Sequence, residues 1–197
     1  MTSIVPLSFD HHLLPIHALG AAISIEPVKT YSPVLVYRVS FPNGFNLRIS
    51  NAGCGWNVMV NDDLLTSREL SPFELLDFCE ECSLRTDKPE EPEWKLKTFG
   101  EGGRLGKLTP ISFEGMLKLH SFGARRILMD RIKYPELGYE IAFPNGRLRV
   151  EKMLEYGDDL WDVHGDGIWS TKLTEDELIA LCEEFSKSEG GEEAAGA

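Results

Sequence analysis

Two stretches decide the fold: YRVSFPNGFNLRI at 37–49 and YEIAFPNGRLRV at 139–150. In each, an alternating strand (Tyr37, Val39, Phe41; Tyr139, Ile141, Phe143) turns one face toward a core. Asn43-Gly44 and Asn145-Gly146 follow, residue types that tolerate the positive φ of a tight hairpin. Leu47 and Ile49, or Leu148 and Val150, then alternate on a return strand. Each stretch reads as a β-hairpin with one buried face.

The match extends in both directions. Downstream, Trp56-Asn57-Val58 corresponds to Trp161-Asp162-Val163, and SRELSPFELLDFCEECS (67–83) to STKLTEDELIALCEEFS (170–186). Upstream, PLSFD (6–10) corresponds to PISFE (110–114), and His17 and Gly20 to His120 and Gly123. The matches are collinear and involve Trp, Pro, Gly and Cys, so the chain reads as a tandem duplication of a unit of about 80 residues. Repeat unit one occupies 1–84 and repeat unit two 108–186. Between them, 85–107 is rich in Pro, Gly and charge and reads as a linker. Within it, Trp94 and Phe99 point to partial packing, and Gly100–Lys107 lacks the order of a phosphate-binding loop. The tail 187–197 reads as disordered and acidic.

Each unit is expected to be α+β: a helix, an antiparallel strand meander and a closing helix. Ser71 and Thr174 stand three residues before Glu74 and Glu177, the spacing of a capping box, with Leu70 and Leu75, or Leu173 and Leu178, at staple spacing. Leu75, Leu76, Cys79 and Cys82 make an apolar face on the first closing helix, as Leu178, Ile179, Cys182 and Phe185 do on the second. The first helix of each unit is expected to start at Ser8 or Ser112 and stop at Gly20 or Gly123, with Pro15 kinking or shortening the first copy. Further strands are expected near 21–28 and 125–132, at 56–60 and at 160–164.

The strand–FPNG–strand–strand–helix pattern resembles a set of small, mostly uncharacterised phage-encoded proteins with an F-P/D-N-G hairpin near their start. The matching residues are Phe41 to Gly44 and Phe143 to Gly146, within about 45 residues of each copy. Those proteins continue with a Tyr-Gly-x-Ser-Val run, where this chain has Phe45 to Arg48 and Arg147 to Arg149. The resemblance implies a phage or mobile-element origin and carries no functional residues.

Charge and motifs narrow the function. Acidic residues outnumber basic ones by 32 to 20, a formal charge of −12. That argues against nucleic acid as a direct partner, because phosphate binding needs a surplus of Lys and Arg. No apolar run is long enough for a membrane span, the first residues lack a secretion signal, and the expected compartment is the cytoplasm. Cys79-Glu80-Glu81-Cys82 is a single CxxC without the second half of a zinc site; Cys82 becomes Phe185 in the other copy, which a core position allows and a ligand position does not. Cys54, in the 51–55 loop, has no local base to make it a nucleophile. His17 and His120 read as helix-terminal capping residues; His11 and His17 are not at i, i+4 spacing, and the His11-His12 pair, at a helix start and without a counterpart, is a minor metal candidate.

On a strand, Asp162, His164 and Asp166 would share one face, with Asp158 or Asp159 nearby, as a weak divalent-cation candidate. A basic cluster in copy two comprises Arg125, Arg126, Arg131, Lys133, Arg147, Arg149 and Lys152.

The reading these features favour is a non-catalytic protein–protein interaction module without a cofactor. Its acidic surface, formed by Asp158, Asp159, Asp162, Asp166, Glu80, Glu81, Glu183 and Glu184, would face a basic nucleic-acid-binding protein. A phage origin would make that partner a host defence protein and this chain its inhibitor. A virion or scaffold component, or a metal-dependent enzyme centred on Asp158 to Asp166, are the alternatives.

Overall fold

A computed structural model of the chain describes residues 6–29, 34–52, 55–63, 66–87, 107–133, 136–153, 160–165 and 167–188. The chain divides into two compact units, Met1–Phe113 and Glu114–Ala197. Both are α+β. Among the described residues no helix is long and apolar enough to cross a membrane.

Unit one opens on a π-helical turn, Phe9–Leu13, that runs into helix α1, Leu14–Ala18. Pro15 sits in the first turn of α1, where its missing N–H costs least, and the wider π turn precedes it. The five-stranded sheet that follows is a meander ordered β1 (Ala22–Ile25), β3 (Val36–Ser40), β4 (Asn46–Ala52), β5 (Gly55–Val60) and β6 (Arg68–Leu70), antiparallel throughout. Helix α2, Pro72–Leu84, closes the unit against β5 and β6. A two-stranded ribbon pairs β2 (Val28–Lys29) with β7 (Lys107–Leu108), so the end of the segment expected as linker is strand.

Unit two repeats the order. Helix α3 spans Phe113–Ser121, its first residue belonging to unit one, where the Phe113 ring meets Phe9 and His17. The second sheet runs β8 (Arg126–Lys133), β9 (Glu136–Phe143), β10 (Gly146–Met153), β11 (Trp161–Gly165) and β12 (Ile168–Leu173), again antiparallel. Helix α4, Glu175–Lys187, packs on β11 and β12.

The buried faces follow the expected alternation. Tyr37 pairs with Ile49 and Val39 with Leu47; Tyr139 pairs with Val150 and Ile141 with Leu148. All eight side chains are buried. Tyr37 meets Trp56 edge to face at 6.0 Å, and Tyr139 meets Trp161 at 5.7 Å. Such pairs add about 0.5–1.5 kcal/mol beyond the area they bury. Gly20 and Gly123 end the first helices with φ of +86° and +95°, and their N–H groups donate to the His17 and His120 carbonyls.

Two short strands escaped the sequence pattern. β6 is three largely polar residues, and β12 is an edge strand whose register shifts opposite β11 between Trp161 and Val163. Neither carries the apolar alternation by which strands are read.

Candidate functional site

The closing helices, α2 and α4, carry four of the eight candidate contact residues. Both start with the expected capping box. The Ser71 hydroxyl accepts from the Glu74 N–H and the Glu74 carboxylate accepts from the Ser71 N–H; Thr174 and Glu177 do the same. Hydrogen bonds from the Ser71 side chain and backbone hold Glu74 below the ordinary carboxyl range; those from the Thr174 backbone and side chain do so for Glu177. Inward, α2 buries Leu75, Phe78, Cys79 and Cys82, with Leu76 only flanking; α4 buries Leu178, Ile179, Cys182 and Phe185.

The hairpin asparagines hold the other end of these helices. Asn43 Nδ2 donates to the carbonyls of Cys82 (2.8 Å) and Arg85 (2.9 Å). Asn145 Nδ2 donates to the carbonyls of Phe185 and Ser188. Their place before glycine in a hairpin suggests a positive-φ turn role for these asparagines. In the structure only the glycines take it, Gly44 at +92° and Gly146 at +153°, and the asparagine side chains serve instead as C-terminal caps about forty residues away.

The two hairpins differ by one residue. Ser40 pairs with Asn46 around five residues, whereas the equivalent Ala142 pairs with Arg147 around four. The extra residue is Phe45, buried beneath the Arg85 guanidinium at 4.7 Å. Its N–H donates to Asn43 Oδ1. Unit two lacks this residue, and there Asn145 Oδ1 is buried with no hydrogen-bond partner among the described residues.

On the outer faces, Glu80, Glu81 and Glu184 are exposed and Glu183 is half-buried, paired with Lys187. Glu80 and Glu81 make no ion pair among the described residues, and the last turn of α2 holds no basic residue. Each helix thus carries an adjacent pair of carboxylates near its C-terminus, where cations are favoured.

The acidic cluster of copy two is only partly described. Asp158, Asp159 and Asp166 lie outside the described residues, as does Cys54. Asp162 and His164 do share the outward face of β11. Asp162 accepts from the N–H of Lys172, whose φ of +60° marks the bulge in β12, so its carboxylate props a strained strand. His164 lies edge to face with the exposed Trp169, centroids 4.8 Å apart. Among the described residues no group of three or more His, Cys, Asp and Glu side chains converges as metal ligands.

The basic cluster thins out. Lys152 alternates onto the inner face, where it is 3% exposed and its ammonium lies 4.1 Å from the Trp161 ring centre. Arg149 pairs with Glu151 and Arg147 with Glu140. Arg131 and Lys133 have no described side chains; Arg125 and Arg126 stay exposed.

Three thiols are buried, and His12 and His17 make local hydrogen bonds. Burial raises Cys79 and Cys182 to about 12 and Cys82 to about 11, far from thiolate chemistry at neutral pH. His12 Nδ1 accepts from the Ser8 N–H, a bond only the neutral ring makes, and desolvation lowers its pKa. His17 Nδ1–H donates to the Ala21 carbonyl past the helix end.

Two outward residues of α2, Phe73 and Leu84, belong to no motif and are 84% and 72% exposed. Helical periodicity could have found them, since both lie off the buried face. No family model, no curated protein and no solved structure matches this chain.

Proposed function

We propose that the protein is a non-catalytic interaction protein that binds a basic protein surface through the acidic outer faces of its two closing helices, and that its two units arose by duplication. The observation that carries this reading is the charge of those helices. Together they hold Glu74, Asp77, Glu80, Glu81, Glu175, Asp176, Glu177, Glu183 and Glu184 against a single base, Lys187. Glu74 and Glu177 are spent on capping and Glu183 on Lys187. Glu80, Glu81 and Glu184 sit near helix C-termini, where they oppose the macrodipole, so stability does not account for them.

A row of carboxylates complements a Lys- and Arg-lined surface, the kind a nucleic-acid-binding protein presents, and steers association with it. If the chain is of phage or mobile-element origin, occupying such a surface would inhibit a host defence protein. The duplication is supported by the shared strand order, the paired Tyr–Trp contacts, the two capping boxes and the two asparagine caps. Two copies of one surface raise avidity for a partner that can engage both.

The test is capture of partners from a nuclease-treated lysate by immobilised protein, at low and moderate salt, beside a variant carrying Glu80→Gln, Glu81→Gln, Glu183→Gln and Glu184→Gln. A stoichiometric basic protein held by the natural chain and lost by the variant is the expected result. A partner held equally by both, or none at either salt, would overturn the reading.

A further inference from the structure

The outward stripe of α2 differs from that of α4 at three of its four matched positions. At 100° per residue, Phe73, Asp77, Glu80 and Leu84 fall within a narrow sector, diametrically opposite the buried Leu75, Phe78, Cys79 and Cys82. All four are exposed. Phe73 and Leu84 are three turns apart, about 16 Å along the helix. The matched stripe of α4 is Asp176, Ala180, Glu183 and Lys187, an ordinary solvated face closed by the Glu183–Lys187 ion pair.

An exposed apolar residue on its own needs no explanation. Here two large ones bracket two carboxylates on one stripe, on a helix with no base of its own.

The geometry points to α2 as a docking face for a basic amphipathic helix of a partner protein. That helix would set two apolar side chains against Phe73 and Leu84 and place Lys or Arg opposite Asp77 and Glu80. This rests on the interaction reading above and deepens it: the acids select the sign of the partner, and the two apolar residues anchor it. The charge of the stripe argues for a basic partner over a second copy of this acidic chain, because two such stripes would repel.

The probe is a synthetic eighteen-residue helical peptide of Leu and Lys, with a control in which every Leu is Gln and the lysines are unchanged. Binding to the full chain is read by fluorescence anisotropy at about 0.15 M salt, where long-range attraction between exposed charges is screened. The full chain is expected to prefer the Leu/Lys peptide at least tenfold. Phe73→Ser with Leu84→Ser, which leaves every charge in place, is expected to abolish that preference. Asp176→Ser with Lys187→Ser on α4 is expected to retain it. Circular dichroism confirms that each variant is folded, and amide exchange should show protection on α2.

Undiminished preference in the Phe73/Leu84 variant, protection elsewhere than α2, or no preference in the natural chain would each overturn the proposal. Loss on Asp77→Asn with Glu80→Gln but not on the Phe73/Leu84 variant would overturn it while leaving the acidic reading standing. The reverse pattern would keep the anchor face and remove the acidic reading.

Discussion

Helices α2 and α4 are alike on the side that faces their sheets and unlike on the side that faces water. Each starts in a capping box, each ends under a hairpin asparagine, and each buries a cysteine at the same position, Cys79 and Cys182. Outward, Phe73 stands where α4 has Asp176, and Leu84 where α4 has Lys187. Packing explains the sameness. A buried position loses stability with any change of volume, so inward residues stay within a narrow set. Solvated positions are constrained only by solubility and by what they bind, so their differences point to use.

Thiol reactivity gives the largest effect that bears on this comparison. With Cys54→Ser in place, Cys79 and Cys82 report unit one and Cys182 reports unit two. Cys79 and Cys182, raised from 9.0 to about 12, hold about a thousandfold less thiolate near neutral pH than an unshifted thiol. Iodoacetamide labelling followed by mass spectrometry should be slow in the native protein and rapid in denaturant. Comparable native rates for Cys79 and Cys182 would make the units equally closed; a large disparity would break the equivalence.

Removing the matched indoles comes next. Trp56→Ala and Trp161→Ala should each cost about 3–5 kcal/mol by urea denaturation, since both rings are buried against a tyrosine. Trp161→Ala also strips the ring from beneath the buried Lys152 ammonium, so it should be the costlier of the two. Equal costs would mean that the cation adds nothing there.

The asparagine caps should be worth less. Asn43→Ala and Asn145→Ala each leave helix-terminal carbonyls without their donor, a loss of about 1–3 kcal/mol. Asn43→Asp should be worse than Asn43→Ala, because a carboxylate cannot donate and meets the negative helix pole. A neutral Asn43→Ala would reduce the motif to a turn.

Acid should affect both units through the same device. The folded-state pKa values of Glu74 and Glu177 lie below the ordinary 4.5, so their contribution is present above that pH and is lost as pH falls through the folded value. Glu74→Gln and Glu177→Gln should each flatten the fall of stability in acid, measured by chemical denaturation from pH 7 to 3. The smallest effect should come from Glu80→Lys, which places a cation near the α2 C-terminus and should stabilise by about 0.3–1 kcal/mol. A stabilised protein that no longer binds its partner would show that the carboxylate is kept for contact.

Much of this was legible in the residues. The period-2 strands around each FPNG, the capping boxes at Ser71 and Thr174, the glycine stops at Gly20 and Gly123, and the inward cysteines are local or periodic signals, and each needs only neighbours in sequence to take effect. What only the tertiary structure decided concerns residues whose partners lie far along the chain. Asn43 and Asn145 look like turn residues until their helices return about forty residues later to receive them. Lys152 looks like part of a basic cluster until the strand turns it onto the Trp161 ring. Asp162 looks like a solvated strand-face carboxylate until the β12 bulge brings the Lys172 N–H to it. Sequence determines where a side chain sits on its own element; only packing decides which polar groups from distant segments lose water together, and so must satisfy one another.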